Sequence, residues 1–378
     1  MSQQQNNQLV KEIKIFALTQ DPIYIGTGGY TIGRVDNTIV RDPITNVPKI
    51  PGSSLAGTWR YYVALELQSH FKDEFRVNLK SRIKKNIDEL LNSPKDWMKF
   101  EGNKFAKIKC AGQDDLPNKT LDESKSEESG HCGYCIVCKG FGFSKKDLSW
   151  QGQIYFIDLN ILFFPVFTMK GTKWITTASK LKEIGLNSIS SPADENKIKT
   201  NNGNEGHLNL GWLYLEIEGT HSIRNENLAC FNFGNFQLNP EDIVIVPESL
   251  FSHIVNSNLE VRTSVSIDPI TGAAKEGALF TSEAIPRGTI LYGCIRIFDK
   301  LAIKGIDCKI APLPSINHLE QALNDSKHFY ETLGIGGMTT RGFGRLKIIL
   351  LGINSTEKRE NEGNTKSSTN HTGGDKSE

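Results

Sequence analysis

Apolar residues alternate with polar ones over residues 9–25 (Leu9-Val10, Ile13, Ile15, Ala17, then Ile23-Tyr24-Ile25), the signature of a half-buried strand. The Gly-rich run Gly26-Thr27-Gly28-Gly29 ends it in a turn. Then the period changes. Leu55, Trp59, Tyr62 or Val63, and Leu65-Glu66-Leu67 recur at helical spacing, so the pattern predicts a helix over 55–68, with Pro51-Gly52-Ser53-Ser54 as a turn and hydroxyl caps. Residues 152–164 give the strongest strand signal, β-branched and aromatic, and too short to span a membrane. Strands resume at 208–218, 242–247 and 290–298; a helix over 316–333 leads into a Gly-rich loop at 334–345 and a last strand at 346–351. Residues 190–205 read as a polar insertion, and 355–378, without a hydrophobe, as a disordered tail. The element order predicts an α+β chain without a fixed-period repeat.

Composition narrows the class. At about 150 residues per domain, 378 residues suit two or three domains, or one large domain with insertions. A hydrophobic content of 38% with 34 Gly and 14 Pro fits a loop-rich globular protein, not a helical bundle. Lys+Arg is 44 against Asp+Glu 43, which excludes a wholly basic nucleic-acid coat but permits a local basic face. Residues 71–109 carry eleven bases against six acids, whereas 113–129 carry six acids against two bases and almost no apolar residue, the composition of a mobile insertion. The N-terminus lacks a basic region followed by an apolar run, and no apolar stretch approaches the length of a span. A cytoplasmic protein is expected.

Seven cysteines, three of them within His131-Cys132-Gly133-Tyr134-Cys135-Ile136-Val137-Cys138, point to metal rather than disulfides. Two consecutive Cys-x-x-Cys steps place three thiolates around one tetrahedral ion, and a structural zinc is expected. The fourth ligand stays open between His131 and Cys110. No Glu flanks the cluster as in a catalytic zinc motif. Cys230, Cys294 and Cys308 read as core residues.

Two further segments suit an anion. Gly52-Ser53-Ser54 at a helix start offers N–H groups and hydroxyls to a phosphate, although the same residues also make an ordinary capped helix. The loop 334–345 has glycines that permit close backbone approach to a polyanion, with Arg341 and Arg345 adding charge; a tight loop before a strand is the plainer alternative. Asp36 and Asp42 each fit a metal ligand, a base or a turn residue, the last especially for Asp42 before Pro43.

Taken in order, Asp36-Asn37, Asp42-Pro43, Ile50-Pro51-Gly52-Ser53-Ser54-Leu55, Cys135-x-x-Cys138 with Phe141-Gly142, and Gly336-Gly337 with Arg341-Gly342-Phe343-Gly344 resemble the RAMP superfamily. More narrowly they resemble the backbone subunit of type III CRISPR effector complexes. The resemblance covers most of residues 10–350, leaving insertions near 71–130 and 180–206 outside it. It implies a modified RNA-recognition (ferredoxin-like) core over 9–351 and a β-hairpin thumb within 252–289 that inserts between guide and target.

The resemblance also implies partners and roles. Guide RNA (crRNA), target RNA, adjacent copies or homologous subunits and other chains of the complex are the expected partners. Asp36 is the expected catalytic acid, assisted by Mg²⁺ or another divalent cation, with the RNA 2′-hydroxyl as nucleophile. Arg34, Arg41, Ser53, Ser54, Arg60, Gly336, Gly337, Arg341, Gly342 and Arg345 are expected to face RNA, reading phosphates and shape rather than sequence. One departure is Ala56, where the family commonly carries Lys; Arg60 or Arg34 are the candidates to replace that phosphate contact. A catalytically silent architectural subunit and a guide-processing endonuclease of the same superfamily are the alternatives.

Overall fold

The computed structural model describes residues 9–28, 35–76, 79–112, 130–144, 149–202, 206–303 and 312–352. Arg34, Cys308, the acidic segment 113–129 and the tail expected at 355–378 lie outside them.

The strand Val10–Thr19 lies between Leu346–Leu351 and Ile290–Phe298, antiparallel to both. Its alternation has a direct structural meaning: Ile13, Ile15 and Ala17 enter one core and Phe16 and Leu18 enter a second on the opposite face. Leu159–Thr168 follows on the far side of Ile290–Phe298. A register shift there sets Ile290 opposite Phe163 but Leu291 opposite Ile161, so Leu162 is an extra residue. Consequently the consecutive Leu162 and Phe163 share one core, while Ile161 and Phe164 fill the other.

Two helices accompany these strands. Gly52–His70 buries Leu55, Trp59, Tyr62, Val63 and Leu67, one apolar stripe at steps of three and four residues. It begins three residues before the expected start, with Pro51 at the cap position; Gly52, its first residue, lies so close to Phe156 that a Cβ would come within 2.7 Å of its carbonyl oxygen. Ile316–Ser326, capped by the Ser315 hydroxyl, packs against it, and the Trp59 indole donates to Leu323 O and Ser326 Oγ, both at 3.1 Å. The expected helix 316–333 is interrupted after Ser326 and resumes as Phe329–Thr332. The chain order is therefore strand, helix, two strands, helix, strand. In space the four strands run last, first, third, second.

Beyond Leu159–Thr168 the sheet continues through Gly171–Thr176, Ile243–Ile245, Lys197–Thr200, Leu213–Thr220 and His207–Leu210. Lys197–Thr200 thus forms a strand inside the segment read as a polar insertion, anchored by the buried Ile198. Residues 71–76 and 79–112 form short helical turns around Phe71, Phe75, Leu90, Trp97 and Met98 and join the main core.

After the helix Glu248–Ser257, the strands Glu260–Ile267 and Ala274–Ala284 form a separate antiparallel hairpin. Val265, Ile267, Ile270 and Leu279 on it are exposed. Its tip is closed by Asp268, whose N–H donates to Ala273 O and whose carbonyl accepts from Gly272 N.

Candidate nucleic-acid interface and metal centre

Asp36 sits at the base of this hairpin. Its Oδ2 accepts from Thr281 N at 2.8 Å and Thr281 Oγ1 at 2.9 Å, and its own N–H lies 3.1 Å from the same hydroxyl. Asn37 extends the connection: its N–H donates to Thr281 O, and its carbonyl accepts from Glu283 N. The Asp36 carboxyl is fully exposed, and the Thr281 backbone N–H, followed by the Thr281 hydroxyl, holds its pKa below the ordinary carboxylate value. Oδ1 has no hydrogen bond from the described residues.

Arg41, five residues on, pairs with Glu283 at 2.7 Å and donates to Asn256 Oδ1 at 2.9 Å. It fastens the Asp36 loop between the hairpin base and the helix Glu248–Ser257. Asp42 forms the turn that Pro43 suggested, accepting from Ile44 N, Thr45 N and the Thr45 hydroxyl. These bonds, with the one from Lys49, bring its pKa down to about 2, the Thr45 backbone N–H being the largest cause. Lys49 bridges Asp42 at 3.2 Å to Asp158 at 2.7 Å, and Asp158 accepts from Gly52 N at 2.8 Å. The first N–H of the helix expected to meet phosphate is therefore already capped by a carboxylate. Ser53 is exposed and Ser54 half-buried beside it, and no side chain of the Pro51-Gly52-Ser53-Ser54 turn caps the helix.

The Gly-rich loop closes on the same region. Gly337 N donates to Tyr24 O, Gly344 N donates to Pro22 O, and Ile335 N donates to Gly344 O. Gly336 has φ +84°, and a Cβ there would come within 2.2 Å of Tyr24 O. Packing against Tyr24 thus explains that glycine directly. Gly342 also has positive φ, and its carbonyl accepts from Arg262 Nη1 at 3.2 Å, while the Arg262 guanidinium lies 4.6 Å from the Phe343 ring. Arg262, at the foot of the hairpin, thereby ties the loop to the strand opposite Thr281. The loop 35–42, the hairpin base and the loop 334–345 make one continuous surface.

The arginines divide on it. Arg345 binds Asp21 through two nitrogens, the Nη2–Oδ1 distance being 2.8 Å, and this pairing holds the Asp21 pKa below its ordinary value despite partial burial. Arg41 has Glu283. Arg341 is exposed and forms no ion pair with the described residues. Arg60 is elsewhere altogether, facing the cysteine cluster: Nε donates to Cys110 O at 2.8 Å and Nη2 lies 3.0 Å from His131 Nδ1.

That cluster brings the sulfurs of Cys110, Cys132, Cys135 and Cys138 within 4.8 Å of one another, three of the residues buried. Of the two open candidates for a fourth ligand, Cys110 contributes its sulfur, and the His131 ring turns instead to Arg60 and the Cys110 carbonyl. The Cys132–Cys138 sulfur separation of 3.9 Å is close to the edge of a tetrahedron with metal–sulfur bonds of about 2.3 Å, which is about 3.8 Å. Hydrogen bonds from the other three thiols hold Cys110 well below the ordinary thiol pKa, whereas burial raises Cys135. Four thiols crowded in this way are suited to a metal cation.

A model of the RAMP superfamily matches residues 17–347. The chain belongs to the RAMP superfamily. A solved structure shares the fold: a chain of the Type III-B Cmr-beta complex bound to cognate target RNA is 14% identical, with 90% of this chain and 97% of that chain covered and a TM-score of 0.51. Cmr4 (Cas7) from Pyrococcus furiosus is 16% identical over 90% of this chain and 99% of that chain, with a TM-score of 0.45. No curated protein matches. Among the described residues no helix is long and apolar enough to cross a membrane.

Within this RAMP chain, three side chains at the interface escaped sequence reasoning as site residues. Thr281 and Glu283 have no motif around them, and Asp158 appeared only as the polar end of a strand signal. Each becomes visible through a partner more than 100 residues away.

Proposed function

We propose that this chain is a repeated backbone subunit of a type III CRISPR ribonucleoprotein that binds guide RNA and cleaves complementary target RNA, with Asp36 as the catalytic acid. Family membership supports the class. The observation that carries the catalytic part is an exposed, ionised Asp36 held by Thr281 at the base of a separate two-stranded hairpin.

The four strands in spatial order last, first, third, second, with their two helices, are the ferredoxin-like core in this proposal, and the hairpin Glu260–Ala284 is the thumb. Thr281 engages Oδ2, and Oδ1 has no hydrogen bond from the described residues; one carboxylate oxygen suits Mg²⁺, which keeps several waters and takes phosphate oxygens as further ligands. When bound, such a cation supplies positive charge at the scissile phosphate. The chain's part is positional: Asp36 fixes the site of that charge relative to the hairpin, Arg41 and Glu283 hold its loop, and Arg341, with no ion pair among the described residues, offers its guanidinium to the RNA backbone. RNA brings its own nucleophile, the 2′-hydroxyl. The four thiols of Cys110, Cys132, Cys135 and Cys138 would hold a structural zinc that joins Cys110, at the end of residues 79–112, to the segment 130–141, both of which pack on the helix Gly52–His70.

The Thr281 contact also favours a second reading, in which Asp36 only braces the hairpin and the subunit is architectural. Both readings require several copies on one RNA. Purified particles should protect guide RNA at a regular subunit repeat, and a single chain acting alone on guide precursors would contradict both. Target products spaced at that same repeat and dependent on Mg²⁺ select the catalytic subunit; an intact target selects the architectural one.

A further inference from the structure

A divalent ion held by four thiolates carries a net charge of −2, and this site is largely buried, where an uncompensated charge is strongly unfavourable. The surroundings supply the opposite sign. Arg60 reaches from the helix Gly52–His70 to the carbonyl of Cys110. Arg82, 2% exposed, has no ion pair with a described carboxylate; its guanidinium donates to Phe75 O, Ala106 O and Arg76 O and lies 3.9 Å from the Phe71 ring. Burial lowers the Arg82 pKa to about 10, and the nearby Cys110 opposes that shift. One fixed guanidinium, Arg60, thus touches a site that is anionic once metal-loaded, and a second, Arg82, lies near it.

We propose that Arg60 is the positioning residue of this metal centre: its charge offsets the tetrathiolate, and its two donors fix Cys110 and His131 in place across the junction between the helix Gly52–His70 and residues 71–112. The proposal rests on the zinc assignment above. It removes Arg60 from the RNA-facing set, where the missing lysine at position 56 had suggested it. His131 Nδ1 lies 3.0 Å from Arg60 Nη2 and 3.2 Å from Cys110 O, so that ring nitrogen is turned to these groups and away from the role of a metal ligand.

The test uses the full chain, purified with zinc, and measures zinc per chain and the rate of zinc transfer to a coloured chelator for wild type, Arg60→Gln and Arg60→Lys. Loss of an outer-shell partner typically costs about 10–100-fold in metal affinity. Arg60→Gln should release zinc faster by that factor, and Arg60→Lys, which keeps the charge, should recover most of the difference. With Co²⁺ in place of zinc, all three should show the intense thiolate-to-cobalt band of a four-sulfur site. Zinc release from Arg60→Gln at the wild-type rate, or equal release from the Gln and Lys variants, overturns the charge role. Wild type that takes up no zinc overturns the metal assignment itself, a separate result. Should Arg60→Gln fail to fold, slow release from a folded Arg60→Lys upholds the role and fast release rejects it.

Discussion

Asp36 and Thr281 lie 245 residues apart in sequence yet meet through three hydrogen bonds, two into the Asp36 carboxylate and one between the Asp36 N–H and the Thr281 hydroxyl. The proposed cutting residue is therefore fastened to the element proposed to separate guide from target. Thr281→Val keeps the volume and the backbone N–H but removes the hydroxyl. Target cleavage should fall about tenfold or more while guide binding stays unchanged, since small misplacement of a reacting group is costly. Single-turnover cleavage and guide-RNA affinity, measured side by side, check this.

The arginines make a contrast that salt titration resolves. Arg341 has no ion pair with the described residues, whereas Arg345 is engaged by Asp21. Arg341→Ala should weaken guide binding equally across sequences and reduce the slope of log affinity against log salt by about one. Arg345→Ala should change that slope little and instead lower the melting temperature. Equal slopes for the two variants would remove the distinction.

How much of this was legible in the sequence depends on the range of the interaction. Val10–Thr19 and Leu346–Leu351 were readable because every second side chain enters a core. The start of Gly52–His70 was shifted because Pro51, not a serine, holds the cap position, and the Gly52 N–H is satisfied by Asp158, 106 positions away. The roles of Arg60 and Arg345 were not readable, since an arginine in sequence does not reveal a carbonyl 50 positions away or a carboxylate 324 positions away. For the same reason the choice between His131 and Cys110 needed three dimensions.

Gly336 was expected to face RNA, but its surroundings give it a packing role. Gly336→Ala places a Cβ against Tyr24 O at positive φ, and should destabilise the chain by about 1–3 kcal/mol before any effect on RNA is counted. Urea unfolding of the free chain measures it. Unchanged stability with reduced RNA affinity would restore the RNA-facing role.

Asp42 gives a pH signature. Its carboxyl titrates at about 2 in the folded chain against an ordinary 3.8, so the contribution of its turn is full above pH 3.8 and disappears as the pH falls toward 2. The group is partly exposed, and solvent screening limits that contribution to about 1 kcal/mol. Asp42→Asn should therefore be less stable than wild type at pH 6, with the gap narrowing as pH falls below 3.8. A gap independent of pH would assign the effect to something other than the carboxylate.

Removing the metal should loosen the chain locally. Chelation, or Cys110→Ser, should expose residues 71–112 to limited proteolysis while the strands Val10–Thr19, Ile290–Phe298 and Leu346–Leu351 stay protected. Cleavage mapped by mass spectrometry distinguishes this from global unfolding.

The most direct test of the central claim compares wild type with Asp36→Asn in the purified particle carrying guide RNA, a complementary target and Mg²⁺. The neutral side chain keeps the shape and an oxygen for Thr281, so assembly and guide binding should be intact. Wild type should yield products at the subunit repeat, and Asp36→Asn should yield none. Undiminished, regularly spaced cutting by Asp36→Asn would contradict the catalytic role given to this residue.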